Sequence, residues 1–261
     1  MPPPTLSIII PAYNEEKRIA APLADYLSFF RKKYKQRFEL IVVLNGCKDN
    51  TLRVVRSFRR YKQLRIINIP EAIGKGGALI RGFHHAQGTV IGFADADGST
   101  RAQEFYRLLQ KMDNYDVILA SRWISGAIVE PQQQFIRRIA SRTFNIIVRS
   151  CFGISVRDTQ CGCKIFRQSI LKKILGKLGT TNWAFDIDLL YLLKKNHAKI
   201  AEIPTVWQDT PGSRLHIGRA SLEMFAALVR LRLLYSILSF TINIYDTIII
   251  SARKFIALSQ R

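Results

Sequence analysis

The chain has 261 residues, of which 48% are hydrophobic. That is enough for one substantial domain with an appendage, and it excludes a disordered protein. With 40 Lys and Arg against 19 Asp and Glu the formal net charge is +21, so partners are expected among polyanions: nucleic acid, an anionic membrane face or phosphorylated substrates.

Cys47, Cys151, Cys161 and Cys163 have neither zinc spacing nor the density of a disulfide framework, which predicts reduced thiols and a reducing compartment. MPPPTLSIII lacks a charged n-region and runs straight into a strand-like segment, so no signal peptide is expected. The apolar run Leu6–Pro11 reads as a buried strand. A helix is expected from about Asn14 to Lys33, and a second strand over Phe38–Leu44. The next helix starts near Asp49, whose carboxylate suits an N-cap, and runs to about Tyr61. Strand Arg65–Ile69, helix Gly77–Ala86, strand TVIGFA, a helix near Ala102–Met112 and strand Asp116–Ser121 follow. This alternation predicts an α/β fold with a mostly parallel sheet covered on both faces. In such sheets ligands bind beyond the carboxyl ends of the strands. Asn14, Asn45, Asp95 with Asp97, and Arg122 all fall there.

After Ser121 the pattern changes. Residues 134–153 read as an amphipathic helix, with Arg138, Arg142, Asn145 and Arg149 on one stripe and Phe135, Ile139, Ile146 and Ile147 largely elsewhere. By shape alone it suits a membrane interface and a surface helix equally. From Arg219 the chain turns apolar again, dividing it into a domain over 1–218 and helices over 219–261. Leu233–Ile250 is interrupted by Asn243 and Asp246. A clean span needs about 20 mostly apolar residues and a buried Asp is costly. Helices that lie on, dip into or pair at the membrane are therefore favoured over a true span or packing against a second subunit.

IGFADADGST (Ile91–Thr100) ends a strand on two carboxylates two residues apart. Extended residues at that spacing face the same side, so Asp95 and Asp97 call for a cation or donors between them. An EF-hand fails because Thr100 and Tyr106 stand where Gly and Glu are needed. GKGGA lacks the Ser/Thr of a phosphate loop, and Leu79 breaks a dinucleotide fingerprint. A hard divalent cation, Mg²⁺ or Mn²⁺, suits such carboxylates and leaves positions for phosphate oxygens. Metal-assisted departure of a nucleoside diphosphate is the chemistry this suggests.

SIIIPAYNEE, ELIVVLNGCKDNT, GKGGALIRG and FADADGS, in this order and spacing, resemble the family-two glycosyltransferases of GT-A fold. SRWISG, RRIASRTFN, RDTQCGCKIFR and WAFDIDLLYLL followed by EIPTVW look like the dolichyl- or polyprenyl-phosphate hexosyltransferases within it. The resemblance covers about residues 5–215. It implies that Pro11, Tyr13 and Glu15 hold the nucleoside, that Asp95 contacts donor ribose or sugar, and that Asp97 binds the metal. Lys75 matches the Gly-Lys-Gly segment that neutralises charge near the nucleotide, unless it is a solvated loop lysine. Leu44 and Asn45 replace the family's two aspartates, leaving the base open between uracil and guanine, with UDP-glucose and GDP-mannose as the expected donors.

Arg122 matches an arginine facing the phosphates. Arg137 or Arg138, with Ser141, match positions that grip the acceptor phosphate, which would place the amphipathic helix at a membrane. Asp186 aligns with the family's catalytic aspartate, but Phe185 replaces the preceding Glu. A lipid phosphate needs no base, since its second pKa is about 6. The resemblance thus implies an inverting, metal-dependent transfer of hexose to polyprenyl phosphate by a peripheral protein at the cytoplasmic face of a membrane. A homo-oligomer stays open. The alternatives are a related enzyme acting on a glycolipid or polysaccharide hydroxyl, and an inactive basic protein binding anionic lipid or nucleic acid. No nucleic-acid motif is present.

Overall fold

The structure, a computed structural model, describes residues 5–131, 135–179, 184–208 and 217–249. In chain order the first half comprises β1 (Leu6–Ala12), α1 (Ala20–Tyr34), β2 (Phe38–Asn45), α2 (Thr51–Arg56), β3 (Leu64–Ile69), α3 (Gly74–His85), β4 (Val90–Phe93), α4 (Ala102–Leu109) and β5 (Val117–Ser121). The second half comprises β6 (Ile128–Glu130), α5 (Phe135–Phe152), β7 (Lys164–Arg167), α6 (Gln168–Leu175), α7 (Phe185–Lys195), β8 (Ile200–Pro204), β9 (Val206–Gln208) and α8 (Ile217–Leu234). Seven strands form one sheet in the order β3-β2-β1-β4-β7-β5-β8, and β6 pairs with β9. All neighbours in the main sheet run parallel except β7, which is antiparallel to β4 and β5.

The continuous apolar runs of β1 and β2 reflect burial on both faces. Alternate residues of each strand enter different cores. Ile9, Ile41, Val43, Phe93 and Leu119 pack with residues of α3, α6 and α7, while Ile8, Ile10, Val42, Leu44 and Ile118 pack with Leu23, Leu27 and Phe30 of α1 and Phe105 and Leu108 of α4. Each fully buried Ile or Leu contributes about 1.5–3 kcal/mol. The strands are consequently held firmly, and the loops beyond their ends carry the polar chemistry.

Local differences from the sequence expectations have identifiable causes. Residues before Ala20 are a loop, not the start of α1: Asn14 has φ 54°, and the Glu15 and Glu16 amides donate to Thr51 Oγ1 and Asp49 Oδ2. Asp49 sits just outside α2 and accepts from the Thr51 amide. The helix containing GKGG begins at Gly74, so Lys75 lies in its first turn.

On α5, Asn145 is not part of a solvated stripe. It is 4% exposed and accepts from the Thr159 amide and hydroxyl, while Ile146 and Ile147 are exposed. The helix is therefore docked through Asn145, Val148 and Phe152, with isoleucines turned outward. α8 packs against α5, and a 3-10 turn at Ser239–Thr241 leads to a helix over 242–249. That helix folds back, with Asp246 paired to Arg230 at 2.7 Å and the Tyr245 hydroxyl bonded to the Ala226 carbonyl. Among the described residues no helix is long and apolar enough to cross a membrane.

Candidate active site

The loops at the carboxyl ends of β1, β2, β4 and β5 meet in one cleft. After β4 the chain runs through Asp95 and Asp97 to Gly98, whose φ of 78° suits glycine and turns the segment away from the strand direction. Asp97 Oδ1 accepts from the amide (2.9 Å) and hydroxyl (2.7 Å) of Ser99, which fixes its carboxylate. Asp95 Oδ1 lies 2.5 Å from Lys75 Nζ. Burial pushes the Asp95 carboxyl above its ordinary value, Lys75 opposing and Asp97 adding to the shift. Burial works against the Lys75 charge as well, but Asp95 and Asp186 outweigh it and raise Lys75 to about 12. The Lys75 side chain is 42% exposed, so solvent screens this pair and its effect on stability is small.

Gly162, in the loop before β7, lies directly against Asp95: a Cβ built there would overlap the Asp95 carboxylate. Two residues on, Lys164 is fully buried. Its ammonium donates to Asp186 Oδ1 at 2.5 Å and to the Cys161 carbonyl at 2.8 Å. Cys161 and Cys163 flank Gly162 as buried thiols. Burial pushes Cys161 up to about 12 and Cys163 well above its ordinary value, so neither supplies the thiolate that a metal would need.

Arg122 follows β5 and is held in a fork by Asp158, with Nε at 2.8 Å, Nη2 at 2.9 Å and the Arg122 amide at 3.0 Å. Asp158 is completely buried. Burial opposes its charge, yet Arg122 holds its pKa below the ordinary carboxylate value. The guanidinium also lies 5.1 Å from the Trp207 ring and 5.7 Å from the Trp123 ring, with Arg142 of α5 5.2 Å from Trp123. Such cation–aromatic contacts orient a guanidinium without neutralising it. The strand-end arginine is thus linked to the basic helix through Trp123.

Most residues expected in the site fall here. Pro11 is buried in β1, and Tyr13 beyond it is 51% exposed, a ring available for stacking. Glu15 is held by Arg18 at 2.7 Å; burial raises its pKa, Arg18 opposes, and Asp97 and Asp95 add to the shift. Asn45 is turned inward: it is 4% exposed and its carbonyl accepts the Ile73 amide at 2.6 Å, bracing the start of α3. Asn45, which stands in place of a family aspartate, therefore offers little exposed surface to a ligand. Asp186 sits in the first turn of α7. Ser141 lies in α5, its carbonyl accepting from the Asn145 amide group. Arg137 and Arg138 belong to the same helix, and their side chains lie outside the described residues.

Sequence reasoning assigned no roles to Asp158, Gly162, Lys164, Trp123 or Trp207. For Asp158, Gly162 and Lys164 the signal was present in RDTQCGCKIFR, where a carboxylate and a lysine stand inside an otherwise largely buried segment. Among the described residues no cluster of three His, Cys, Asp or Glu side chains could cage a metal. The donor set suits a hard cation bound by one or two carboxylates, Asp97 with or without Asp95, and by substrate phosphate oxygens. What the arrangement can do is receive a polyanion: Lys75 and Arg122 stand at the strand ends, paired with Asp95 and Asp158, while the buried Lys164 anchors Asp186 beneath them.

The family profile of glycosyl transferase family 2 matches residues 7–175. Fold, cleft and this match define the class: the chain belongs to glycosyltransferase family 2, and its fold is GT-A. Within it, the chain is 34% identical over 250 residues to a dolichyl-phosphate beta-glucosyltransferase of Saccharomyces cerevisiae, covering 88% of this chain and 75% of that protein. Proteins of that name in Dictyostelium discoideum (32% identical, 88% and 74% covered) and Homo sapiens (32% identical, 90% and 76% covered) match similarly. Among solved structures, glucosyl-3-phosphoglycerate synthase from Mycobacterium tuberculosis, in complex with Mn²⁺, UDP and glucosyl-3-phosphoglycerate, superposes with a TM-score of 0.65 at 19% identity, covering 87% of this chain and 79% of that one. TarS 1–349 of S. aureus in complex with UDP-GlcNAc gives 0.59 at 19% identity, with 90% and 68% covered. At these identities the likeness speaks for the fold alone.

Proposed function

We propose that this protein transfers glucose from UDP-glucose to the phosphate of a dolichyl-type polyprenol, inverting the anomeric centre. The observation that carries the reading is the meeting of a cation-lined carboxylate cleft with α5. The outer side of α5 combines Arg142 and Arg149 with the exposed Ile146 and Ile147. An acceptor with a phosphate head and an apolar tail suits that combination. The names of the relatives supply the sugar and the lipid, and glucose favours UDP-glucose over GDP-mannose as donor.

In the reaction, an acceptor phosphate oxygen attacks the anomeric carbon on the face opposite the leaving group. A new carbon–oxygen bond forms, the bond from that carbon to the β-phosphate oxygen breaks, and UDP departs with the electron pair. Tyr13 stacks on the base, and Asp95 orients the donor. Arg122, already held rigid by Asp158, and Lys75 face the charge that grows on the diphosphate; donors fixed in advance cost no reorganisation when the charge appears. Mg²⁺ or Mn²⁺, held by Asp97 and the diphosphate oxygens, would further stabilise that leaving group. No proton has to be removed from a dianionic phosphate monoester. Arg137 or Arg138, with Ser141, grip the acceptor phosphate.

The protein works as a peripheral one at the cytoplasmic face of a membrane. Supporting this are free cysteines and large exposed apolar side chains beyond α5, including Phe225, Ile237, Phe240 and Ile244. The test is a product assay with dolichyl phosphate, Mg²⁺ or Mn²⁺, and UDP-glucose or GDP-mannose, read by mass spectrometry. Dolichyl-phosphate glucose formed from UDP-glucose, and lost with Asp97→Asn or chelator, is the expected outcome. Cation-dependent nucleotide-sugar binding without any lipid product would overturn the acceptor.

A further inference from the structure

We propose that Lys164 is a positioning residue that acts through Asp186, pinning this carboxylate in a fixed place beside the donor hexose. The inference rests on reading the cleft as the hexosyl-transfer site. It starts from an anomaly of burial. Lys164 is a fully buried lysine on a central strand, in register with Phe93 on one side and Leu119 on the other. Lysine is rarely found so deep unless its charge is met, since withdrawing an ammonium from water costs several kcal/mol. Here the charge is met by the Cys161 carbonyl, by Asp186 Oδ1 and by the face of Phe93, whose ring centroid is 5.4 Å from Nζ. Asp186 supplies the countercharge.

Asp186 reaches in the other direction too. Its side chain keeps 14% exposure, and its charge bears on both Lys75 and Asp95. The carboxylate therefore connects the buried ammonium below with the donor side of the cleft above. Asp188, two residues on, takes no part in this: it is completely buried, with contacts to the Tyr235 hydroxyl and the Gly179 amide.

One consequence follows from the pair. Lys164 balances Asp186 as Lys75 balances Asp95, so that two nearby carboxylates coexist without repelling the chain apart. The segment Cys161–Lys164 thus shapes the floor of the cleft twice, with Gly162 making room for Asp95 and Lys164 anchoring Asp186.

The experiment is a double-mutant cycle on the full chain with Lys164→Met, Asp186→Asn and the two combined. Three properties are read: thermal unfolding, UDP-glucose affinity, and kcat with dolichyl phosphate. Asp186→Asn alone leaves the buried ammonium unpaired and is expected to melt below the combined variant. Lys164→Met and Asp186→Asn should each lower kcat about 100-fold, as expected of a misplaced contact, and the combined variant should be no slower than Asp186→Asn alone. Multiplying effects on kcat, or Lys164→Met with wild-type kcat and affinity, would overturn the proposal.

Should Lys164→Met not fold, Asp186→Glu decides. It keeps the charge and shifts the carboxylate by one methylene, so a large loss of kcat at near-native melting temperature supports positioning, and unchanged kcat refutes it. If the native protein formed no glucosylated lipid, the proposed function would fall. The melting order and UDP-glucose affinities would still decide the pair.

Discussion

The Gly162→Ala variant probes how closely the loop before β7 is fitted to the Asp95 carboxylate. Gly162 does not need a positive φ, so alanine brings no backbone penalty there. The added methyl is a purely local perturbation. It would overlap Asp95 Oδ2 and lie 2.5 Å from Cγ and 3.1 Å from Oδ1, against about 3.5 Å for comfortable heavy-atom contact. The carboxylate must then retreat by more than about 1 Å, about 1.6 Å at Oδ2, and Lys75, bonded to it, must follow or let go. A displacement of that size at a reacting centre costs about 100-fold in rate, whereas overpacking costs about 1–3 kcal/mol of stability. The expected result is a protein that still folds, with kcat/KM for UDP-glucose down about 100-fold. The assay is steady-state glucosyl transfer beside a thermal melt. A variant within twofold of the native kcat/KM would show that Gly162 does not wall the Asp95 carboxylate, and the description of the cleft floor would be wrong.

Two other perturbations test the cleft and the surface. Asp158→Asn removes a fully buried countercharge from the partly buried Arg122 and should cost about 3 kcal/mol at neutral pH. The folded-state pKa of Asp158 is depressed, so its contribution is fully present above 3.8 and is lost as pH falls below that value through the folded one. Melting curves of native protein and variant should accordingly converge on acidification; a gap that stays constant to low pH would refute the assignment. Ile146→Glu alters an exposed side chain and should leave stability within about 0.5 kcal/mol, while weakening sedimentation with anionic vesicles roughly 10-fold. Unchanged vesicle binding would remove α5 from the membrane contact.

How much of this was legible in the sequence depended on the range of the interactions concerned. The strands were readable because β1 and β2 are buried on both faces and so appear as unbroken apolar runs. Asp95 and Asp97 were readable because they stand where a buried run ends; β4 itself stops at Phe93, so the loop and not strand alternation sets their placement. Helix starts were less so: the segment after Tyr13 is kept from joining α1 by bonds from the Glu15 and Glu16 amides to the loop around Asp49, which local propensity does not contain.

The orientation of α5 was hidden for the same reason. Its periodicity separates the sides of the helix, but the turn of Asn145 inward is decided by Thr159 on another segment. Likewise nothing local reveals that Asp246 is neutralised by Arg230. The alternating sheet and the carboxylates beyond the carboxyl end of β4 thus follow from patterns a few residues long. Which cation meets which carboxylate is a matter of the folded chain: Lys75 with Asp95, Arg122 with Asp158, and Lys164 with Asp186. Charges withdrawn wholly or partly from water pair with whatever lies near in space, and that nearness is what folding creates.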